Sequence, residues 1–405
     1  MQLHRYFKLA LTTLVLAAST AQAAYVLRYS TIAPGAVTFT GNAIGLDYLR
    51  PNGNTPPGGA QAGAQSVGAF IASGQPLTTR FGTQPGPSTN SIALNQSAAV
   101  LRIPEGAEVL HAELVWGGTY QNGNQTTLTT AIRNGAVDFK TPSGTNSVTP
   151  DTLTAQEGGQ YYVRSQNVTS IVQALGTGSI AISVGKIPAL IGGSAQTGGT
   201  ADPSGTNAGG WTLAVAYRDI TKDEHKMNIY VGAEAVSGTT SATAAVTDFC
   251  TAPVGAQSGR LAVSALEGDA GIAGESFRFG ATNPPPVANN LSGLNNLATN
   301  FFAAQINGDD GLLDTSGSFG TLNKTPGSAN GPGRHGWDIT NVDLSGLLNA
   351  NQTTAYAQAL TIQDAYMVTA LGIQIKVGQP SFPTSVKTVD KTVAKVGDEL
   401  LYTIT

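Results

Sequence analysis

The chain has 405 residues, of which only 11% are charged, and its formal net charge is −4. It has no basic patch, which argues against a nucleic-acid partner because phosphate backbones are bound by clustered Lys and Arg side chains. Its 50 glycines and its scarcity of long charged side chains are typical of strands joined by many turns. Composition therefore predicts an all-β protein.

The first 23 residues have the three parts of a secretion signal. His4, Arg5 and Lys8 give a charged start, residues 9–18 are apolar, and residues 21–23 form an Ala-Gln-Ala cleavage motif. The apolar run is shorter than the roughly 20 residues that cross a bilayer. We therefore expect residues 1–23 to be a signal peptide, the protein to be extracellular or on the cell surface, and no transmembrane segment.

Strand-like segments recur along the rest of the chain, separated by Gly, Pro and Asn. Two short strands are predicted at 25–29 and 37–40, and a Gly- and Pro-rich loop over 51–87 contains one strand at 67–71. Further strands are predicted at 98–103, 108–116, 127–133, 161–164, 179–184, 211–217, 227–235, 261–266 and 365–377. Only residues 167–175 and 341–348 favour one or two helical turns.

A faint internal repeat suggests two related units. In each copy a strand is followed by an Asn-Val pair with a short apolar run, and then by a second apolar strand. The copies cover 107–116, 164–175 and 209–217, and then 259–268, 336–348 and 366–375. This predicts stacked antiparallel β-sandwiches of jelly-roll or Ig-like type in a head region over 24–378, divided into units of about 90–240 and 241–378.

Catalytic patterns are weak. The histidines that follow the signal are His111, His225 and His335, none beside a recognisable nucleophile motif, and no Gly-x-Ser-x-Gly elbow occurs. The single cysteine, Cys250, rules out an intrachain disulfide. A hydrolase remains an alternative, and it would need a histidine such as His335 within hydrogen-bond reach of a serine or a carboxylate.

An acidic, Gly-rich segment is the candidate metal site. Asp309, Asp310 and Asp314 lie within residues 307–317, and calcium prefers several oxygen ligands on a flexible turn. The helix-loop-helix calcium pattern is not met, because no glutamate closes the loop. The alternative is a solvated Asp- and Gly-rich turn.

Aromatic residues supply the candidate ligand site. Trp116 and Trp211 lie in apolar strands and are expected in the core, whereas Trp337 and Asp338 follow the polar residues Arg334-His-Gly336. An exposed ring stacks on the apolar face of a sugar, so Trp337 and Asp338 are the candidate ligand-binding residues. A carbohydrate-binding module with a calcium-supported loop is thus an alternative function.

The last residues have the pattern of a module that begins and does not finish. A strand is predicted at 387–391, a turn at 396–398 and a second strand at 400–405. The segments Lys387-Thr-Val-Asp-Lys391, Val396-Gly-Asp398 and Leu401-Tyr-Thr-Ile-Thr405 resemble the start of the Ig-like repeat domain (domain of unknown function eleven) of bacterial and archaeal surface proteins. We interpret 379–405 as the start of such a repeat, truncated.

The preceding region is similar to the head that comes before such repeats in large exported proteins. Phrases that carry this resemblance include Leu114-Val-Trp-Gly-Gly118, Gly210-Trp-Thr-Leu-Ala-Val215 and Gly336-Trp-Asp-Ile-Thr-Asn-Val342. The resemblance implies a non-catalytic structural or adhesive role, with a surface ligand, neighbouring surface proteins or a glycan as partner.

Some relatives of the repeat form a Lys–Asn isopeptide bond. The resemblance makes Lys387 or Lys391 the candidate lysine, with its acceptor Asn beyond Thr405. The alternative is that both are solvated edge lysines, which discourage pairing with other strands.

Overall fold

The computed structural model describes residues 25–47, 66–82, 84–121, 127–191, 207–232, 235–238, 240–268, 273–323, 334–363, 365–378, 387–391 and 393–404. The fold is all-β with antiparallel sheets, as predicted. The strands of the first part are β1 (Val26–Ala43), β2 (Gly45–Asp47), β3 (Val67–Ile71), β4 (Ser88–Thr89), β5 (Gln96–Ile103), β6 (Glu108–Thr119), β7 (Val137–Thr141), β8 (Gly144–Val148), β9 (Gln156–Gly158), β10 (Tyr161–Asn167), β11 (Gly178–Gly185) and β12 (Gly209–Arg218).

The second part of the chain continues the same architecture. Its strands are β13 (Glu224–Val231), β14 (Ala235–Val236), β15 (Ala242–Val246), β16 (Gly259–Leu266), β17 (Glu275–Gly280), β18 (Arg334–His335), β19 (Trp337–Asp343), β20 (Ala355–Thr361), β21 (Tyr366–Lys376), β22 (Lys387–Val389) and β23 (Tyr402–Ile404). The helices are α1 (Thr130–Arg133), α2 (Thr169–Gln173) and the 3₁₀ turns Ile92–Leu94, Thr152–Thr154, Val287–Asn289 and Gly320–Leu322. No helix in the described part of the chain has both the length and the apolar character needed to span a membrane.

Most predicted strands are present, and three local predictions are wrong. The two short strands at 25–29 and 37–40 are one 18-residue strand, β1, because both halves find pairing partners. Residues 127–133 end in helix α1 and not in a strand, since the Thr129 side chain accepts the Ile132 N–H and starts a helical turn. The helical turns predicted at 341–348 are replaced by strand β19 up to Asp343, followed by a turn.

β1 links two halves of one ten-stranded sheet with the order β19-β16-β21-β13-β1-β12-β6-β10-β9, in which β14 also pairs with β21. Val26–Pro34 of β1 pair with β13, and Gly35–Ala43 pair with β12. The Pro34 carbonyl accepts from Asp219 N, whereas the adjacent Gly35 N–H donates to Asp223 O. Because the two groups of one peptide unit point in opposite directions, β12 and β13 lie on opposite sides of β1. Residues 219–223, here called the crossing loop, pass over β1 at this point.

The long sheet folds over so that its two halves face each other. The core between them contains residues from both, including Phe39 and Val115 on one side and Ile339 and Met367 on the other. Gly210 of β12 shows how closely they pack, since a Cβ there would lie 2.5 Å from Cγ of Trp337 in β19. Residue 210 must therefore lack a side chain.

Each half of the long sheet is covered on its outer face by a smaller sheet. The sheet with the strand order β5-β11-β7-β8 packs on the half that contains β12, β6 and β10, through a core that includes Trp116 and Trp211. The sheet with the strand order β15-β20-β17 packs on the half that contains β13, β21 and β16, through a core that includes Phe277 and Phe301. The result is four stacked β layers, in which apolar burial supplies the main stabilisation. A further small sheet has the order β18-β2-β3-β4, and β22 pairs with β23 as a separate hairpin.

Candidate functional site

The three aspartates of the predicted calcium loop are described, and each has a different partner. Asp309 Oδ1 lies 2.6 Å from Nη1 of Arg260. Asp310 Oδ1 accepts the Leu312 N–H at 3.0 Å, which closes a local turn. Asp314 Oδ1 accepts the N–H and hydroxyl of Ser316, and its Oδ2 lies 3.3 Å from Nη1 of Arg102.

These contacts do not form a shared coordination shell. Burial of Asp314 would raise the pKa of its carboxyl, but the hydrogen bonds from Ser316 and the nearby Arg102 outweigh burial and lower it. Among the described residues, no group of three His, Cys, Asp or Glu side chains is arranged to hold a metal. Asp309 and Asp314 thus pair with arginines outside the loop, and the calcium site stays a prediction.

The candidate sugar-stacking ring is buried. Trp337 is 1% exposed, lies against Gly210 and donates its indole N–H to Oγ1 of Thr212 at 2.9 Å. Trp116 and Trp211 are buried in the first core, as expected. In this arrangement all three rings pack inside the protein, and stacking on a sugar would require Trp337 to leave its contact with β12.

Asp338 is also buried, and backbone amides surround its carboxylate. Oδ1 accepts the Gln305 N–H at 2.8 Å, and the N–H groups of Ala303, Ala304 and Gly268 also contribute. Burial nevertheless raises the pKa of the carboxyl to about 7. Ala304 adopts a φ of 55°, so the loop accepts some backbone strain in presenting its amides to Asp338.

The lysines of the tail lie in or beside the β22–β23 hairpin. Lys387 pairs through its backbone with Ile404, and the position of its side chain is outside the described atoms. Lys391 donates from Nζ to the carbonyl of Glu399 at 2.9 Å. The Leu401 carbonyl accepts the Asp390 N–H, and the Leu401 N–H donates to Oδ1 of Asp390. Leu401 itself is 67% exposed.

Two histidines contact carboxylates inside the protein. Nδ1 of His335 lies 3.2 Å from Oδ1 of Asp47, and both side chains are buried. Nε2 of His111 lies 3.2 Å from Oε2 of Glu113, and the His111 ring stacks on Tyr29 at 4.9 Å. The sequence does not predict the His335 pair, because its two residues are far apart in the chain, whereas His111 and Glu113 are two residues apart on the same face of β6.

The Glu113 cluster is a polar seam between the two halves of the long sheet. Glu113 is fully buried, and its Oε1 accepts from Nε of Arg28 at 2.9 Å and from the Ser165 hydroxyl at 2.6 Å. Arg28 also reaches Asp151 at 2.9 Å. Since Arg28 is in β1 and Glu113 is in β6, the ion pair joins one half of the sheet to the other. The sequence signal for this cluster is Glu113 between the apolar residues Ala112 and Leu114 of β6.

An open polar cavity of about 460 Å³ lies where the crossing loop passes over β1. Asp309 of the predicted metal loop lines it, together with Arg260 of β16 and Gln374 of β21. Thr221, Lys222 and Asp223 of the crossing loop are exposed. These side chains come from distant parts of the chain, so sequence reasoning did not combine them.

Comparisons with known proteins do not assign the chain to a family. No protein-family model matches it, and no curated protein matches it. It is similar to a solved structure described as PNGF-II, with 14% sequence identity and a TM-score of 0.21. That match covers 70% of this chain, and the chain spans about 60% of the length of the solved structure. Similarity at this level assigns no activity.

Proposed function

We propose that this protein is an exported, non-catalytic structural or adhesive protein, whose stacked β layers form a stiff head on the cell surface. The observation that carries the proposal is the way β1 joins the layers. One strand pairs with β13 along its first half and with β12 along its second, so neither half of the long sheet can separate without breaking β1 pairing. Such a body transmits force through backbone hydrogen bonds, which suits presentation away from a cell.

The buried polar groups support the same role. Arg28 donates across the seam to Glu113, which Ser165 of the neighbouring strand also holds, and Trp337 donates across the same interface to Thr212. A charge removed from water is stabilised only by well-placed partners, so these contacts fix how the layers align. Of the side chains that the sequence singles out for chemistry, Asp309, Asp314 and Trp337 thus have partners within the fold.

Export is part of the proposal and rests on residues 1–23. The experiment is to express the full chain in a bacterial host and to sequence the N-terminus of the mature product. Cleavage after Ala23, together with sensitivity of intact cells to external protease, is the expected result. A full-length product that keeps Met1 inside the cell would contradict the proposal.

A hydrolase is the second candidate, and the contact between His335 and Asp47 is the observation that favours it. At 3.2 Å the pair meets the distance required of a general base and its orienting carboxylate. The pair is buried, however, which keeps substrate away. Turnover of chromogenic ester or glycoside substrates that is lost in His335→Ala would favour this candidate over the structural one, provided that the variant keeps the parent's melting temperature.

A further inference from the structure

The cavity beside the crossing loop is built from fixed polar groups. The Arg260 guanidinium lies 2.6 Å from Asp309 Oδ1 and 2.8 Å from Asn341 Oδ1, and it also donates to the Val37 carbonyl. The Gln374 side-chain oxygen accepts the Val37 N–H at 3.0 Å, which directs its amide N–H groups away from that strand. Arg260 and Gln374 are thus held in place before a ligand binds, and this favours affinity.

The charges on the lining balance. Arg260 and Lys222 are cationic, whereas Asp309 and Asp223 are anionic. In addition, Lys376 pairs with Asp223 at 2.6 Å and Asp219 lies near Lys222, so three charges of each sign surround the cavity. Burial lowers the pKa of His225, which favours its neutral form. A cation or an anion in this cavity would therefore meet repulsion as well as attraction, whereas a neutral polar ligand would meet neither.

The arrangement of donors and acceptors suits hydroxyl groups. Asp309 is 40% exposed at its side chain, and a carboxylate can accept more bonds than the one from Arg260. A sugar hydroxyl can donate to such a carboxylate while accepting from a neighbouring cation, as Lys222 is on the rim. Tyr217 adds a phenol whose pKa burial raises to about 12, so it stays protonated.

We propose that this cavity binds a neutral saccharide, with Asp309 as its central acceptor and Lys222 as a donor from the rim. The volume lies within the range of about 300–1,000 Å³ that is usual for small-molecule sites. The proposal deepens the adhesive role, on which it rests, by naming the ligand class. It also moves the sugar site away from Trp337, which is buried.

The test uses the mature full chain on an array that contains neutral, uronic-acid, sialylated and sulfated oligosaccharides. Binding to at least one neutral glycan is expected, followed by a dissociation constant from calorimetry with that glycan. Asp309→Asn should weaken this binding at least tenfold. Asp310→Asn is the matched control in the same loop, since Asp310 only closes a local turn, and it should change binding less than twofold.

A second variant keeps the proposal testable if Asp309→Asn lowers the melting temperature. Lys222→Ala removes an exposed rim side chain and should weaken binding about threefold to tenfold, as expected for the loss of one hydrogen bond. Binding only to charged glycans, no binding at all, or equal binding by parent, Asp309→Asn and Lys222→Ala would each overturn the proposal. The N-terminal sequencing above is independent of these results, so a failure of this site and a failure of the surface role are told apart.

Discussion

The two copies of the internal repeat place their strands alike but end their second strand differently. In the first copy β6 lies between β12 and β10, and in the second β16 lies between β21 and β19. β10 ends at Asn167, whose side chain accepts the Thr169 N–H, and helix α2 follows. β19 instead runs through the equivalent Asn341, which pairs with Ala262, and ends two residues later.

The difference shows that the Asn-Val pair does not decide the local structure. Pairing of β19 with β16 continues to Asp343, so Asn341 stays extended. The turn begins instead at Asp343, whose side chain accepts the Ser345 N–H. Gly346 then adopts a φ of +84°, which is incompatible with a right-handed helix at this position. Both copies still bury the apolar residue that follows Asn, Val168 in one core and Val342 in the other. Burial is shared, whereas backbone geometry follows the neighbouring strand.

The copies also differ in how they hold a buried carboxylate. Glu113 in the first is paired with the cation Arg28, whereas Asp338 in the second is held by backbone amides. Removing one partner of a buried pair leaves a charge without compensation. The two carboxylates should therefore respond differently to mutation and to pH, and the following changes test that comparison.

The largest effect is expected for Arg28→Met. Among the described residues it leaves the buried Glu113 with His111 and Ser165 as hydrogen-bond partners, which should lower the free energy of unfolding by about 3–5 kcal/mol. Arg102→Met is the control, because the Arg102 side chain, which pairs with Asp314, is 55% exposed. An exposed ion pair of this kind should contribute less than about 1 kcal/mol. Chemical denaturation measures both, and equal losses would contradict a special role for the seam.

Asp338 predicts a pH dependence of comparable size. Burial raises the pKa of its carboxyl from 3.8 to about 7, so the folded state holds the proton more tightly than the unfolded state. This stabilisation is complete below pH 4 and is lost as pH rises to about 7, at about 1.4 kcal/mol for each pH unit.

Asp338→Asn removes the titrating group and should flatten this part of the pH profile. The measurement is the denaturation midpoint of parent and variant at several pH values from 4 to 8. A parent whose profile matches that of the variant would show that the backbone amides keep the carboxylate charged.

A smaller but still large effect is expected for Gly210→Ala. The added Cβ would meet the Trp337 ring at 2.5 Å and force the two halves of the long sheet apart, at a cost of about 3 kcal/mol. Gly238→Ala is the control, since a Cβ there meets no atom closer than 4.0 Å. A melting temperature of Gly210→Ala within a degree of the parent would contradict the close packing described here.

The smallest effect is expected for Gly346→Ala in the turn of the second copy. A Cβ at this position meets open space, so only the positive φ opposes it, at about 1–2 kcal/mol. Gly106→Ala, also at a positive φ in open space, should cost a similar amount by denaturation. A stabilising effect of Gly346→Ala would mean that this segment can adopt the helix seen in the first copy.

How far the sequence predicts this molecule depends on the range of the interactions involved. Alternation of apolar residues is local, so the strand at 67–71 and those at 98–103 and 211–217 were predicted from it. The same alternation does not predict that 25–29 and 37–40 form one strand, because β1 is continuous only through pairing with β12 and β13, between 167 and 205 residues further along the chain.

The candidate site likewise combines a local signal, which the sequence shows, with long-range contacts, which it does not. The acidic neighbours of Asp309 predict a metal site, yet its side chain pairs with Arg260, about fifty residues earlier in the chain. The cavity also needs the crossing loop, which lies next to Gly35 because β12 ends and β13 begins beside this point of β1. No spacing rule connects these residues. The boundary near residue 240, the signal peptide and the likeness of the tail to an Ig-like repeat stay predictions.

Hydrogen exchange of the full chain, read by mass spectrometry, tests most directly whether β1 makes the four layers one cooperative body. The comparison is between the outer strands β7 and β20, which lie on opposite sides of the stack. We predict that Arg28→Met accelerates exchange in both strands by the same factor. Faster exchange in one outer sheet, with the other unchanged, would show that the halves unfold independently and would contradict the account.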